Sequence, residues 1–504
     1  MTKPAVMYAC VHVTEFPAQA MLRLRGELRD RPCVVLDGDP PMQHVCSCNM
    51  KARILGIQRG MTRVEVDTFP SVTVLSRSRT EEVGAKAAML QCAGTFSPAI
   101  EDRSNANAFL CVMDIAGTER LHGPPAMLGA TLLDSTASIG IVSTIAIASN
   151  FHAAICLARG MRSKKRITFI PSGEEGAALS LLPLNVLDLS EEQAETFSRW
   201  GIYTLGMLAE LPEKPLIARM GQEGKRLRQL AHGALPHLFV PIEPVFTLEE
   251  CVELDSPVEL LESLLFVVGA MLEQLIVRAT SRVLALACVT ITLSLEGGGS
   301  HNRTVRPSLP SNDRRLWIKL LHLDLEAHPA SAAILSVRLT AEPGSTSKIQ
   351  FGLFSPQLPE PTRLDVTLAR IRAMVGEECV GSPVLKDCHR PDAFQMKPFA
   401  VPSRPATTPA ANRSMAAVRQ LRPAEEVMVT LREKRPVSIV FRRTQYDVER
   451  SYGPWLAGGE WWAHTRWGLQ QWDLVARSQD GMLLCCCLVR DRTENAWLMA
   501  ALYD

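Results

Sequence analysis

The chain has 504 residues, with 54 Lys and Arg against 53 Asp and Glu, a formal net charge of +1, 47% hydrophobic residues and 21% charged ones. This is ordinary globular composition, long enough for roughly three to four domains, and it excludes a disordered, fibrous or coiled-coil chain. The balanced charge also excludes a protein that coats nucleic acid by bulk electrostatics, though not a local basic track.

In chain order, residues 6–13 (VMYACVHV) and 32–36 (PCVVL) are the first apolar runs of strand length. Between them FPAQAMLRLRGELRD carries helical apolar spacing. Residues 108–115 (AFLCVMDI) and 139–148 (IGIVSTIAIA) read as two more buried strands, each followed by a helical pattern. An α+β or α/β unit is therefore expected over the first 170 residues. The stretch Ser135–Ala158 has no Asp, Glu, Lys or Arg and is long enough to span a bilayer. Its Ser, Thr, Asn and His residues favour a buried β–α unit instead.

Residues 174–236 read as helical, broken at Gly201, Pro212, Gly221 and Gly224. RWGIYTLGMLAELP has the form of the second half of a helix-hairpin-helix unit, whose helix N-termini offer amides to phosphate. Residues 241–396 alternate again, with strands expected at 284–294, 334–340 and 350–354. Helices at 257–279, 313–327 and 364–376 complete a βαββαβ-like count. Residues 398–433 hold five prolines in a linker-like composition, and residues 400–450 hold ten Lys/Arg against five Asp/Glu. Six of the eight tryptophans follow in the last 50 positions, which marks a separate terminal module.

The 14 cysteines form no disulfide framework. Cys46 and Cys48 are one residue apart, Cys485, Cys486 and Cys487 are consecutive in an apolar run, and most others sit singly among small apolar residues. With no CxxC pair a zinc site has little support, and a reducing cytoplasm is expected. The N-terminus MTKPAVMYAC has no signal-peptide layout.

The stretches CVHVTEFPAQAML, NMKARILGIQRGM (49–61), MDIAGTERLHG (113–123) and IAIASNFHAAICLARG (145–160), in that order and spacing, resemble a Y-family (translesion, UmuC/DinB-like) DNA polymerase. The resemblance covers about residues 5–396. SYGPWLAGGEWWAHTRWGLQQWDLVARS at 451–478 resembles the C-terminal domain of ImuB-type proteins, catalytically degenerate members of that family. The fold class implied is α+β and multidomain. It comprises palm and fingers over 1–170, a helix-hairpin-helix thumb over 171–238 and a βαββαβ little finger over 239–397. A Pro-rich basic linker over 398–433 and a Trp-rich C-terminal domain over 434–504 follow.

Two-metal nucleotidyl transfer needs carboxylates that hold two Mg²⁺ ions. The family's D-x-D-x-F-F pattern, anchored on Phe16, falls on His12 and Thr14. Its S-x-D-E pair falls on Phe109 and Leu110 when anchored on MDIAG, or on Ala106 and Asn107 when begun at Ser104. Neither alignment supplies a carboxylate, and imidazole and hydroxyl are poor ligands for Mg²⁺. The fingers Tyr-x-x-Arg pair reads Met50 and Arg53, and the palm N-K-x-x-A-K element reads Asn150, Phe151, Ala154 and Ile155, without its lysines. No polymerase activity and no cofactor are expected. His12 on its own is a core histidine rather than a metal ligand.

The resemblance implies an adaptor in DNA-damage-induced mutagenesis (the SOS response). Such a protein is cytoplasmic and nucleoid-associated, with no membrane contact. It bridges the sliding clamp (β subunit), an error-prone C-family polymerase and a RecA-like ImuA-type protein. Gln350, Leu353 and Phe354 in IQFGLFSP resemble the clamp-binding pentapeptide, with a buried strand as the plainer account. Gly201, Gly206, Gly224, Lys225, Arg226 and Arg228 are the candidate DNA contacts, against a solvated helix face. Asp188, Glu191 and Glu192 nearby weaken them. Trp455, Trp461, Trp462, Trp467 and Trp472 are either a partner platform or a compact core. Two rivals remain open. One is an active translesion polymerase using Asp37, Asp39, Asp102 or Asp114; the other is a DNA-binding scaffold without clamp contact.

Overall fold

The computed structural model describes residues 6–161, 166–345, 361–376, 379–387, 393–397, 418–459, 462, 467–492 and 495–503, and divides into two compact units, Met1–Met374 and Val375–Asp504. The first unit opens with β1 (Tyr8–Val13), α1 (Phe16–Leu22), β2 (Cys33–Asp37), β3 (His44–Cys48), α2 (Met50–Ile54), α3 (Arg63–Val66), β4 (Thr73–Ser76) and α4 (Arg79–Ala93). It continues with β5 (Ile100–Asp102), β6 (Phe109–Asp114), α5 (Glu119–His122), α6 (Pro125–Ser138), β7 (Thr144–Ala148), α7 (Phe151–Gly160) and β8 (Ile167–Phe169).

The palm-like sheet has the order β5-β6-β1-β7-β8, with β1 antiparallel to both neighbours. Alternate residues of β1 fill opposite faces, as a period of two requires. Ala9, Val11 and Val13 join one core with α4 and α6, while Cys10 joins the other with α7. Both faces are covered, which is why these strands read as continuous apolar runs. The fingers-like sheet β3-β2-β4 has its own small cores around Val35 and Val34. Ser135–Ala158 resolves into the end of α6, β7 and α7. The strand expected over 139–148 begins only at Thr144, because Gly140 (φ 82°) makes the turn out of α6.

The thumb-like helices are α8 (Glu175–Ser180), α9 (Glu191–Arg199), α10 (Leu205–Glu210) and α11 (Glu213–Ala231), the last kinked at Gly221 (φ 65°). Ser190 and Gln193 form a capping box on α9, and Thr204 caps α10.

The little-finger-like module is β9 (Leu248–Val258), α12 (Leu261–Thr280), β10 (Leu284–Leu295), β11 (Ser300–Val305), α13 (Arg314–Ala327) and β12 (Ile334–Ser345). Its antiparallel sheet runs β11-β10-β12-β9. The βαββαβ unit is thus complete at β12. The helix expected at 364–376, here α14 (Pro361–Val375), follows it and is not part of it. The strand expected at 350–354 lies outside the described residues. Among those residues α12 is long and apolar enough to cross a membrane. Its Leu264, Val268, Met271, Leu272 and Leu275 are buried in the module's core.

Buried charge joins this module to the palm. Glu250 on β9 takes hydrogen bonds from Arg23 Nη1 (3.0 Å) and Arg278 Nη1 (2.8 Å). Arg23 and Arg278 side chains are 2% and 4% exposed, and Glu250 is wholly buried. Arg278 also holds Gln91 Oε1 on α4 (2.7 Å), whose amide donates to the Val245 carbonyl (2.9 Å). Beside it, Arg25 pairs with Glu81 (2.7 Å) and donates to the Glu253 carbonyl (2.8 Å).

The second unit contains the hairpin β13 (Ser382–Leu385) and β14 (Phe394–Lys397), then β15 (Val418–Glu426), β16 (Met428–Arg432), β17 (Arg435–Phe441), β18 (Thr444–Gly459), β19 (Trp467–Ser478), β20 (Leu483–Asp491) and β21 (Trp497–Tyr503). The sheet order is β15-β21-β20-β19-β18-β17-β16. β15 and β16 stand at its two ends, yet only Val427 separates them. Glu426 pairs with Leu498 and Met428 with Val440, so the ends meet and the sheet closes into a barrel. The linker expected over 398–433 therefore ends by Val418. Arg, Glu and Pro gave residues 418–432 a linker-like composition, but their backbone pairs with β21 over β15 and with β17 over β16.

Candidate functional site

β1 ends at His12 and Val13, which face Leu110 and Phe109 across the sheet. The Phe16 amide donates to the Asn107 carbonyl (3.1 Å), which sets the start of α1 against the turn leading into β6. Phe109 and Leu110 are 0% and 2% exposed. They fill the two cores and cannot face a cleft. Asn107 lies exposed in the turn, with Asn105 Oδ1 accepting its amide (2.9 Å). Of the two sequence alignments, the one on Ala106 and Asn107 is the one that reaches solvent, and it too offers no carboxylate.

A cleft of about 550 Å³ opens beside this strand end. His12, Thr14, Asn49, Ser143 and Thr144 line it, together with Arg29, Lys51, Arg53, Arg159 and Arg166. Its one lining carboxylate among the described residues, Glu15, is bound to Arg53 and Arg59. Burial pushes the His12 imidazole down to about 4, and the Arg159 charge adds to that. A backbone hydrogen bond at Ala158 offsets only part of it. His12 is therefore neutral near neutral pH.

The remaining carboxylates are dispersed. Asp37 binds Arg77 (2.8 Å) and Arg79 (3.0 Å) on the fingers side. Burial raises its carboxyl, but these guanidiniums outweigh that and hold it below the usual range. Asp102 pairs with Lys86 at 2.6 Å. Asp114 stands opposite Tyr8, at the far end of β1 from His12, and accepts the Ala116 amide (3.0 Å). Asp39 is exposed in the turn after β2. Among the described residues no group of three or more His, Cys, Asp or Glu side chains is placed to hold a metal ion. The donor set at the cleft is cationic and does not fit a pair of divalent cations.

The candidate DNA contacts are placed together on the thumb, but the three candidate cations are already partnered. Lys225 pairs with Glu213 (3.5 Å), Arg226 with Glu223 (2.6 Å), and Arg228 donates to the Leu211 carbonyl (2.8 Å). A Cβ on Gly206 would meet the Ser180 carbonyl at 2.9 Å, and one on Gly224 would meet Leu216 at 3.0 Å, so both glycines serve close packing. Gly201 (φ 72°) makes the turn between α9 and α10.

The tryptophans divide. Trp472, a candidate for either a partner surface or a compact core, is 1% exposed inside the barrel, where it packs with Leu474, Cys486 and Met499. It points inward because alternate residues of β19 face the core. Trp455 and Trp462 are 49% and 72% exposed, and Trp467 is half-buried. Trp461 and the Gln350, Leu353 and Phe354 motif lie outside the described residues.

Sequence reasoning missed Glu15, Ser47 and Arg59. The available signal was a lone carboxylate set between Thr14 and Phe16.

Palm, fingers, helical thumb and a βαββαβ module, in this order, define a Y-family-polymerase-like protein. Residues 11–159 match the IMS: impB/mucB/samB family. The chain is 28% identical to DNA polymerase IV of Dehalococcoides mccartyi over 214 residues, 42% of this chain and 54% of that protein. It thus spans about half the length of that relative. It is 24% identical to Protein ImuB of Caulobacter vibrioides over 385 residues, 73% of this chain and 80% of that one. DinB from Sulfolobus solfataricus aligns in structure with a TM-score of 0.39 and 15% identity, covering 67% of this chain and 98% of that one. Residues 11–159 thus carry an IMS-family domain, and the chain is similar both to DNA polymerase IV and to Protein ImuB relatives.

Proposed function

We propose that the chain is a non-catalytic, polymerase-shaped adaptor in DNA-damage-induced mutagenesis. It recruits an error-prone C-family polymerase and a RecA-like partner to the sliding clamp, in the bacterial cytoplasm at the nucleoid. The observation that carries this reading is the cleft at the end of β1. Among the described residues, five cations and no unengaged carboxylate line the place where a polymerase would hold two metal ions. Primer extension by the purified chain with Mg²⁺ is expected to give no nucleotide addition; Mg²⁺-dependent extension would return the enzyme reading. DNA contact is proposed to be weak, since the candidate cations Lys225, Arg226 and Arg228 already have partners, and partners rather than bulk charge hold the chain at DNA.

Gln350, Leu353 and Phe354 are proposed as the clamp contact, with two apolar anchors and an amide at the edge. The double substitution Leu353→Ala and Phe354→Ala is expected to abolish capture by immobilised clamp. Undiminished capture would remove these residues from the reading. Exposed Trp455 and Trp462 are the proposed partner contacts of the barrel, and Trp472 is its core.

A further inference from the structure

Glu15 links β1 to α1 with φ 53° and ψ 43°, in the left-handed region. Its carboxylate accepts the Ser47 hydroxyl (2.7 Å), the Cys48 amide (3.2 Å) and Arg59 (Nε 3.2 Å), and pairs with Arg53. Ser47 is itself fully buried and held by the Ala18 amide at 3.2 Å. A backbone N–H, a hydroxyl and two guanidiniums thus converge on one oxyanion from β3, α2 and the loop beyond it. This donor set suits a phosphate group as well as a carboxylate.

Charge around the site is unbalanced. Two guanidiniums face one carboxylate, and the adjoining cleft adds Arg29, Lys51, Arg159 and Arg166. Among the described residues Arg29 donates to the Leu22 and Arg23 carbonyls and pairs with no carboxylate. Lys51 and Arg159 have carboxylate partners, Asp30 and Asp188, that are 94% and 80% exposed and therefore weakly held.

We propose that Glu15 is a built-in anion. The Ser47, Cys48, Arg53 and Arg59 cradle is a phosphate-type oxyanion site, and the chain closes it to polyphosphate ligands with its own carboxylate. Removing that carboxylate leaves two guanidiniums, 51% and 41% exposed, without their shared anion beside a cationic cleft that solvent and a multivalent anion can reach, so such an anion takes its place. The proposal concerns anion binding and holds whether or not the chain contacts a clamp.

The test is calorimetric titration of the full-length chain with inorganic tripolyphosphate in metal-free buffer. Wild type is expected to bind weakly. Glu15→Ala is expected to bind one equivalent about tenfold tighter or more, and adding Arg53→Ala and Arg59→Ala is expected to erase the gain. Glu15→Gln keeps the side-chain shape, and it decides the matter if the alanine variant fails to fold, because it too removes the charge. Equal affinity in wild type and every folded Glu15 variant overturns the proposal. So does a gain that survives loss of both arginines.

Discussion

Replacing Glu250 by alanine is expected to destabilise the first unit by about 3–5 kcal/mol, the cost of removing one partner from a buried ion pair. The mechanism is specific. Arg23 and Arg278 approach the same carboxylate from the palm side and from α12, and both are almost fully enclosed. Without Glu250 two buried guanidiniums face each other with no anion between them. Arg23 Nε already has no hydrogen-bond partner, so little reserve exists for rearrangement. Burial outweighs the Glu250 attraction enough to lower the Arg278 pKa below its ordinary value, in keeping with a strongly desolvated guanidinium. Denaturant unfolding of wild type and Glu250→Ala checks the magnitude. A double-mutant cycle with Arg278→Met separates loss of the pair from the penalty of a stranded charge. A loss below about 1 kcal/mol would mean that water reaches the pair.

Acidification is the second large effect. His12 has a folded-state pKa of about 4 against an ordinary 6.5. The unfolded chain therefore takes up the proton first. The contribution of this residue to stability is intact above about pH 6.5, falls as the pH drops, and levels off below about pH 4. The difference corresponds to about 3 kcal/mol over that window. His152 is shifted the same way, to about 4, by burial and then by the neighbouring His237. It is less enclosed and is expected to contribute less. Unfolding free energies of wild type and His12→Leu, measured from about pH 7 to about pH 4, should diverge in slope, with the wild type steeper. Parallel slopes would show that His12 is solvated in the folded state.

Much of this fold was legible in the sequence. The strands Tyr8–Val13 and Phe109–Asp114 lie buried on both faces, so their apolar runs announce them. β9 was not anticipated because Glu249, Glu250 and Glu253 interrupt its alternation. Glu250 faces the core only because two arginines, distant in sequence, neutralise it there. β11 alternates half-buried with exposed positions and carries Ser, His, Asn, Arg and Thr, so it has no apolar signal. At the candidate site, the non-carboxylate residues His12 and Thr14 could be read by matching positions. The ion pairs of Glu15 could not, because Glu15 meets Arg53 and Arg59 only after β3 folds back beside α1. The division of the tryptophans likewise depends on register. On β19, one residue's difference in phase separates a position that fills the barrel, such as Trp472, from one that faces away.

The junction at Val427 gives the C-terminal barrel a distinctive vulnerability. An open sheet can shed an outer strand and leave the rest paired. Here the first strand is zipped to the last, Val418 opposite Tyr503, and continues without a loop into the pairing with β17. Loss of β21 would therefore unlatch a ring, baring a hydrogen-bonding edge on β15 and another on β20 at once and opening the interior around Trp472 and Leu488. A frameshift that removes only the final seven residues of strand is thus expected to undo the closure of the whole barrel.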